Sequence, residues 1–309
     1  VSPTQLEDAA ACPFRYFLRR GLQVNAIETG ERSRDLWLDP LIRGSLLHDL
    51  YAGLLRRCRD CKRKPSMAED QAWFQRLGQE ALDDLERDMP PPSIDVKDRE
   101  SRELLADLDL FLEAEEGRAA ERTAVGLEIA FGRSGAVETE PLSIGTPVTI
   151  TVGDLTFRVA GRVDRIDELA AGTFEILDYK TGGYWPELWK GTFAGGRRLQ
   201  HALYGLAALE LLKTRVEKPQ VVGAQYYFSS TKGRQERKTI PAPPLAVVGA
   251  VLSDLRDVIT GGLFVHTPAK GDCKFCDYGP ACGDNAYKQA DSKLVDAALA
   301  PYRKLAAHE

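Results

Sequence analysis

Gly161-Arg162-Val163-Asp164 and Glu175-Ile176-Leu177-Asp178-Tyr179-Lys180-Thr181-Gly182 are the two stretches whose reading decides the fold. Residues 155–168 and 173–180 read as strands, and Ala170-Ala171-Gly172 between them predicts a hairpin. Side chains two apart on a strand share a face. Asp178 and Lys180 therefore project together, and Asp164 faces the same space from across the hairpin. Two converging carboxylates repel each other unless a cation lies between them. Mg²⁺ and Mn²⁺ favour such oxygen ligands, with waters at the remaining positions. A lysine beside the metal orients or helps deprotonate a water and offsets charge on a phosphate. Phosphodiester hydrolysis needs this equipment. An exposed strand carrying a plain Asp–Lys ion pair has the same pattern, so the segment alone leaves both readings open.

On either side of this hairpin, residues 125–131, 146–152 and 220–228 are further strand candidates, with Gly153-Asp154 marking another hairpin. Residues 40–57 form an amphipathic helix, with Leu41, Ile42, Leu46, Leu47, Leu50, Leu54 and Leu55 at helical spacing. Charge-rich helices are expected over 68–88 and 98–122, separated by Pro90-Pro91-Pro92-Ser93. Helical period returns over 197–213 and 244–260. Ser2-Pro3 supplies a helix start for a mixed helical and loop stretch to residue 22, and a Cys- and Gly-rich loop over 271–283 leads into a polar, helical tail. Helices around a mixed sheet make an α/β chain. The expected division is an N-terminal helical segment (1–60), a helical insertion (61–123), the sheet-bearing core (124–268), and a cysteine loop with the C-terminal tail (269–309).

The chain has 309 residues, 43% of them hydrophobic and 28% charged, enough for a sizeable core without staples. No apolar run reaches about 18 residues, so no membrane span is expected. A net charge of −5 argues against a protein that coats duplex DNA non-specifically, but is compatible with a carboxylate site and a narrow basic groove. Arg15, Arg19 and Arg20, then Arg56, Arg57 and Arg59, then Arg197 and Arg198 form basic clusters expected to be solvated helix faces. Six cysteines without a secretory signal predict a reducing, cytoplasmic setting and metal binding rather than disulfides. The first residue is Val1, which suggests a piece of a longer chain or a processed start.

Four short motifs occur in one order: Arg43-Gly44-x-x-x-His48, Gly161-x-x-Asp164, Asp178-x-Lys180 and Gln200-x-x-x-Tyr204. Each is weak; as an ordered set, covering about residues 2 to 285, they resemble the PD-(D/E)XK nuclease superfamily, specifically its RecB-like branch. The resemblance implies a restriction-endonuclease-like mixed β-sheet core flanked by helices. It implies His48, Asp164 and Asp178 as ligands of Mg²⁺ or Mn²⁺, joined by the Tyr179 carbonyl, with Lys180 as catalytic lysine. Gln200 and Tyr204 would contact DNA or brace the site, and their i, i+4 spacing puts both on one helix face. Asp178 stands where Glu is commoner. A lone helical histidine such as His48 is otherwise a packing residue, and Glu128 on the first strand candidate is a further acidic candidate.

Cys273, Cys276 and Cys282 form C-x2-C-x5-C and call for a fourth ligand, since tetrahedral Zn²⁺ and Fe–S clusters are both commonly held by four cysteines. Cys12 is the candidate. Its segment, Cys12-Pro13-Phe14-Arg15-Tyr16-Phe17, resembles the N-terminal cluster ligand of AddB-type helicase–nuclease subunits and of CRISPR-associated iron–sulfur exonucleases, in which one cysteine precedes the nuclease motifs and three follow. That implies a [4Fe–4S] cluster, with Zn²⁺ the competitor that spacing does not exclude. The four-Cys cluster would staple the N- and C-terminal segments by closing a loop of about 260 residues. Cys58 and Cys61 read as ordinary thiols. The resemblance implies a metal-dependent DNA nuclease, acting as a single-strand exonuclease domain of a helicase–nuclease in double-strand-break end processing and recombinational repair. Its partners would be single-stranded or frayed DNA ends and a helicase–nuclease partner subunit or upstream helicase-like region. The alternatives are a stand-alone CRISPR-associated-type exonuclease and a non-catalytic single-strand clamp. A dead clamp should have lost Asp164, Asp178 or Lys180, and all three are present.

Overall fold

The computed structural model describes residues 1–25, 34–132, 140–274, 276–283 and 285–309. Helix α1 (Pro3–Ala11) opens on a capping box, in which Ser2 accepts from the Gln5 amide while the Gln5 side chain accepts from the Ser2 amide. The short α2 (Pro13–Tyr16) follows directly, and Phe17–Gly21 continues as a π-helical turn. Asp39 caps α3 (Pro40–Asp60) by accepting from the amides of Leu41 and Ile42. Next come α4 (Met67–Asp88) and α5 (Ile94–Gly117). The sequence places this last helix at 98–122; it begins earlier because Ser93 acts as its N-cap, accepting from the Val96 amide.

The strands are β1 (Thr123–Phe131), β2 (Val148–Val152), β3 (Leu155–Val159), β4 (Gly161–Ala170) and β5 (Thr173–Tyr179). After α6 (Gln200–Leu212) come β6 (Gln220–Tyr227) and β7 (Arg237–Pro241). The last strand has no counterpart in the sequence reading. The single strand expected over 155–168 is two. Backbone pairing with Val1, which donates to Arg158 O and accepts from the Ala160 amide, occupies the junction. β2 and β3 make a separate two-stranded sheet, while the main sheet runs β1-β4-β5-β6-β7. Its pairs are antiparallel except β5 with β6, which α6 connects as a crossover. This is the mixed sheet flanked by helices that the resemblance implies.

Two hydrophobic cores cover the two faces. One gathers Ile129, Val163, Ile166, Phe174 and Ile176 beneath α6 and α7 (Leu245–Thr260). The other joins α3, α4 and α5 to Leu127, Tyr179 and Tyr227. The helical insertion is thus seated on the sheet. α8 (Lys270–Cys273), α9 (Gly279–Cys282), α10 (Ala286–Lys293) and α11 (Ala300–Ala306) complete the chain. The tail is helical, as its sequence suggests, but not merely polar: Tyr302 and Leu305 are buried in the first core.

Strand alternation breaks at Glu128. Leu127 and Ile129 are two apart and should share a face, yet they enter opposite cores. The cause is a left-handed backbone at Glu128, φ +51°, which flips the pleat and costs on the order of 1 kcal/mol in an L-residue.

Candidate active site

The strands that frame the site part where it begins. Pairing of β4 with β5 runs from Ala170↔Thr173 to Arg165↔Leu177 and stops there. Beyond it the Tyr179 amide donates to Asp164 Oδ2 at 2.9 Å, a side chain taking the place of a ladder carbonyl. Glu128 lies between Leu127 and Ile129, whose partners are Arg165 and Val163, so it sits opposite Asp164. From α3, His48 Nδ1 reaches within 3.6 Å of both Glu128 Oε1 and Asp164 Oδ2. Ligand atoms of His48, Glu128 and Asp164 all lie within 4.8 Å of one another, a group suited to one metal ion. Neither Glu128 oxygen makes a directed hydrogen bond, although Arg162 Nε stands 2.8 Å from Oε2.

The electrostatics are those of crowded carboxylates. Burial, then the neighbouring Asp178 charge, pushes the Asp164 carboxyl upward. Burial would lower His48, but the adjacent Glu128, Asp164 and Asp178 carboxylates outweigh it and raise the imidazole to about 9. The imidazolium therefore holds the place a cation would take. A metal ion must displace that proton.

Asp178 and Lys180 share a face, as the period of two requires, and their side chains are ion-paired. Asp178 Oδ2 is buried without a directed hydrogen bond. Asp178 pairs with Lys180 and lies outside the His48–Glu128–Asp164 group, yet its charge is felt by both His48 and Asp164. Burial opposes the charge on Lys180, but Asp178 more than compensates and its pKa is raised. Lys180 Nζ also donates to Gln200 Oε1 at 3.3 Å. Tyr204, one turn further along α6, lies against Gly161: a Cβ there would stand 2.7 Å from Tyr204 Cε1. The Gln200–Tyr204 pair thus braces Lys180 and the strand bearing Asp164. The Tyr179 ring points to the opposite core, where Arg165 Nη1 donates to its hydroxyl at 3.3 Å.

Two site residues were weakly signalled or missed. Glu128 is aimed by its backbone turn, which no side-chain pattern announces. Glu7 on α1 accepts from the amides of Leu199 (2.6 Å) and Gln200 (3.0 Å), and its Oε2 accepts from Gln200 Nε2 at 3.3 Å. It caps α6 and holds Gln200 toward Lys180. Burial raises its carboxyl to about 7. Nothing in residues 2–22 distinguishes this glutamate from a surface one.

The basic clusters are only in part the solvated faces expected: Arg20 is exposed, but most of the others are paired. Arg15 and Arg19 pair with Asp8, Arg56 and Arg59 with Glu140, and Arg57 with Asp70. Buried Arg198 donates to the carbonyls of Leu188 and Gly191. Cys58 is buried and Cys61 exposed, both free.

Cys12 sits at the α1–α2 junction, facing α8 and α9. Burial and the neighbouring Cys12, Cys276 and Cys273 thiols push Cys282 up to about 11, and Cys273 is raised by burial and then by Cys12. Cys273, Cys276 and Cys282 line an open pocket of about 560 Å³. Protein contacts already join the two ends here. The Phe14 amide donates to Val265 O at 3.1 Å, Phe17 stacks on Phe264 at 4.5 Å, and the Tyr278 hydroxyl donates to Val24 O at 2.8 Å.

Comparison with known proteins matches residues 1–283 to the PD-(D/E)XK nuclease superfamily. One subunit of an ATP-dependent helicase/deoxyribonuclease from Acetivibrio thermocellus is 27% identical over 192 residues, covering 59% of this chain. The aligned part spans only 15% of that relative's length.

Proposed function

Because the chain belongs to the PD-(D/E)XK nuclease superfamily, we propose that it is a Mg²⁺- or Mn²⁺-dependent DNA nuclease acting on single-stranded or frayed ends. The observation that carries this is the convergence of His48, Glu128 and Asp164 beside the Asp178–Lys180 pair, where β4 and β5 separate. The buried Glu128 and Asp178 oxygens without directed hydrogen bonds suit a cation. Asp164, Glu128 and Asp178, with His48 and the Tyr179 carbonyl, would hold it. When bound, the ion polarises the scissile phosphate and activates a water.

The chain's own groups do the rest. Asp178 favours the charged form of Lys180 over the cost of burial, and the lysine would act beside the phosphate, orienting water and offsetting charge. Gln200 fixes Lys180 Nζ and is itself fixed by Glu7. Tyr204 supports β4 at Gly161, three residues before Asp164.

The relative named above belongs to a helicase/deoxyribonuclease, which supports a place for this nuclease in a helicase–nuclease working with a partner subunit in double-strand-break repair. The four facing thiols support a [4Fe–4S] cluster on Cys12, Cys273, Cys276 and Cys282. Cys273, Cys276 and Cys282 line one open pocket of about 560 Å³, and Cys12 is near enough to push the Cys273 and Cys282 thiols up. The cluster would supply a structural tie between the two ends.

Cleavage of 5′- and 3′-labelled single strands and duplexes, with and without Mg²⁺ or Mn²⁺, tests the reading. Wild type should degrade the single strand only with metal, and Asp178→Ala should abolish cleavage while retaining iron. Metal-independent cleavage, or full activity in Asp178→Ala, refutes it.

A further inference from the structure

A second pocket, of about 270 Å³, opens where the C-terminal ends of α3 and α5 meet the start of β1. Seven of its fourteen lining residues are Lys or Arg and one, Glu115, is acidic. Much of that charge is already answered. Two lining arginines, Arg59 and Arg63, are taken by Glu140 and Asp70. Of the other lining arginines, Arg122 lies against the buried carboxylates of Asp167 and Glu175, Arg165 lies against those of Glu115 and Asp167, and Arg118 donates to Gln225 Oε1. Glu121, which also touches Arg118, is 62% exposed and screened by water. Exposed Lys62 and Lys64 add two charges at the rim, neither with a carboxylate partner among the described residues.

Unused donors accompany this positive charge. Arg122 is 8% exposed, and its Nε is buried with no hydrogen-bond partner. A buried unpaired donor is costly and rare in a finished structure. Lys64 Nζ donates to Arg122 O and Thr123 Oγ1, which leaves its third proton free. Excess positive charge with spare donors around a concave space is the complement of a multiply charged oxyanion.

We propose that this pocket binds a phosphoryl dianion of the kind a phosphomonoester carries. The volume accommodates the phosphoryl group with an attached sugar. Two sources carry this chemistry, a free nucleotide and the terminal phosphate of a nucleic-acid strand. The pocket lies at the far end of α3 from His48: ten residues separate His48 from Cys58, about 15 Å at 1.5 Å per residue. It is a site separate from the metal group, and its occupancy does not depend on the nuclease reading.

Calorimetric titration of the whole protein, without added divalent metal, tests this with inorganic phosphate, thymidine monophosphate and oligothymidylates with or without a 5′-phosphate. Inorganic phosphate should bind at one site. Lys62→Ala/Lys64→Ala should weaken it about tenfold, the contribution of one charge-assisted hydrogen bond, with the melting temperature unchanged. Should that variant unfold, Lys62→Glu alone, at an exposed position, should weaken binding in a folded protein. A phosphorylated strand binding more tightly than thymidine monophosphate identifies a strand end as the ligand; equal affinity identifies the nucleotide. Absence of phosphate binding, or unchanged affinity in the folded variants, overturns the proposal.

Discussion

Replacing Gly161 by alanine isolates the contact on which the strand bearing Asp164 rests. An added Cβ would stand 2.7 Å from Tyr204 Cε1 and 2.9 Å from its hydroxyl oxygen, both closer than real Cβ contacts allow. Gly161 has no positive φ, so the substitution introduces no backbone strain and its effect is steric. The Tyr204 ring has little room to yield, being packed edge-on to Phe131 with centroids 6.1 Å apart. Overpacking of this kind costs about 1–3 kcal/mol. In a Tyr204→Leu background the obstacle is gone. The same Gly161→Ala change should then be neutral or stabilise by about 0.4–1 kcal/mol through the unfolded chain. A double-mutant cycle by denaturant unfolding should accordingly return a coupling of about 1–4 kcal/mol. Gly161→Ala alone should also lower the cleavage rate about tenfold or more, because displacing β4 moves Asp164 within a site that tolerates errors well under 1 Å. An equal cost of Gly161→Ala in both backgrounds would refute the reasoning.

Cys12→Ala should lose iron and melt at lower temperature than wild type; full iron content and an unchanged melting temperature would remove Cys12 from the ligand set. Glu128→Gln should weaken Mn²⁺ binding and, without metal, move the His48 imidazole downward from about 9, followed by NMR titration of its ring protons; an unmoved His48 would show that Glu128 does not set its charge. Glu7 ionises near 4.5 when unfolded and near about 7 when folded, so the folded state holds the extra proton between those values and stability falls as pH rises through them. Glu7→Gln removes this titration. Measured without divalent metal, its melting temperature relative to wild type should climb between pH 4.5 and 7; a constant difference across that window would contradict the burial argument.

What the sequence disclosed follows from periodicity. Asp178 and Lys180 needed only strand alternation, and Asp164 only a hairpin of ordinary length, so all three were legible. Gln200 and Tyr204 were legible as a helical pair, but their bracing roles depend on Gly161 and Lys180, which only tertiary structure brings near. Glu128 was half legible: its acid type stood out, but its aim comes from a left-handed residue that breaks the alternation used to read strands. Glu7 was hidden because its partners lie more than 190 residues away and it sits in a helix that looks like any surface helix. The strand read over 155–168 was split by pairing with Val1, a contact equally remote in sequence. The arginine clusters misled in part because acids outside them, such as Glu140 against Arg56 and Arg59, pair with most of their members.

The capping of α6 by Glu7 also bears on biosynthesis. Once α1 has been synthesised, Glu7 cannot engage the amides of Leu199 and Gln200 until nearly 200 further residues have left the ribosome. Contacts of such long range form late and slow folding. The lysine that would bear on the phosphate is therefore left without its brace in any nascent chain that ends before α6. A polypeptide released before α6 would carry the acidic strands but not an aligned site, a safeguard in a chain of a nuclease superfamily.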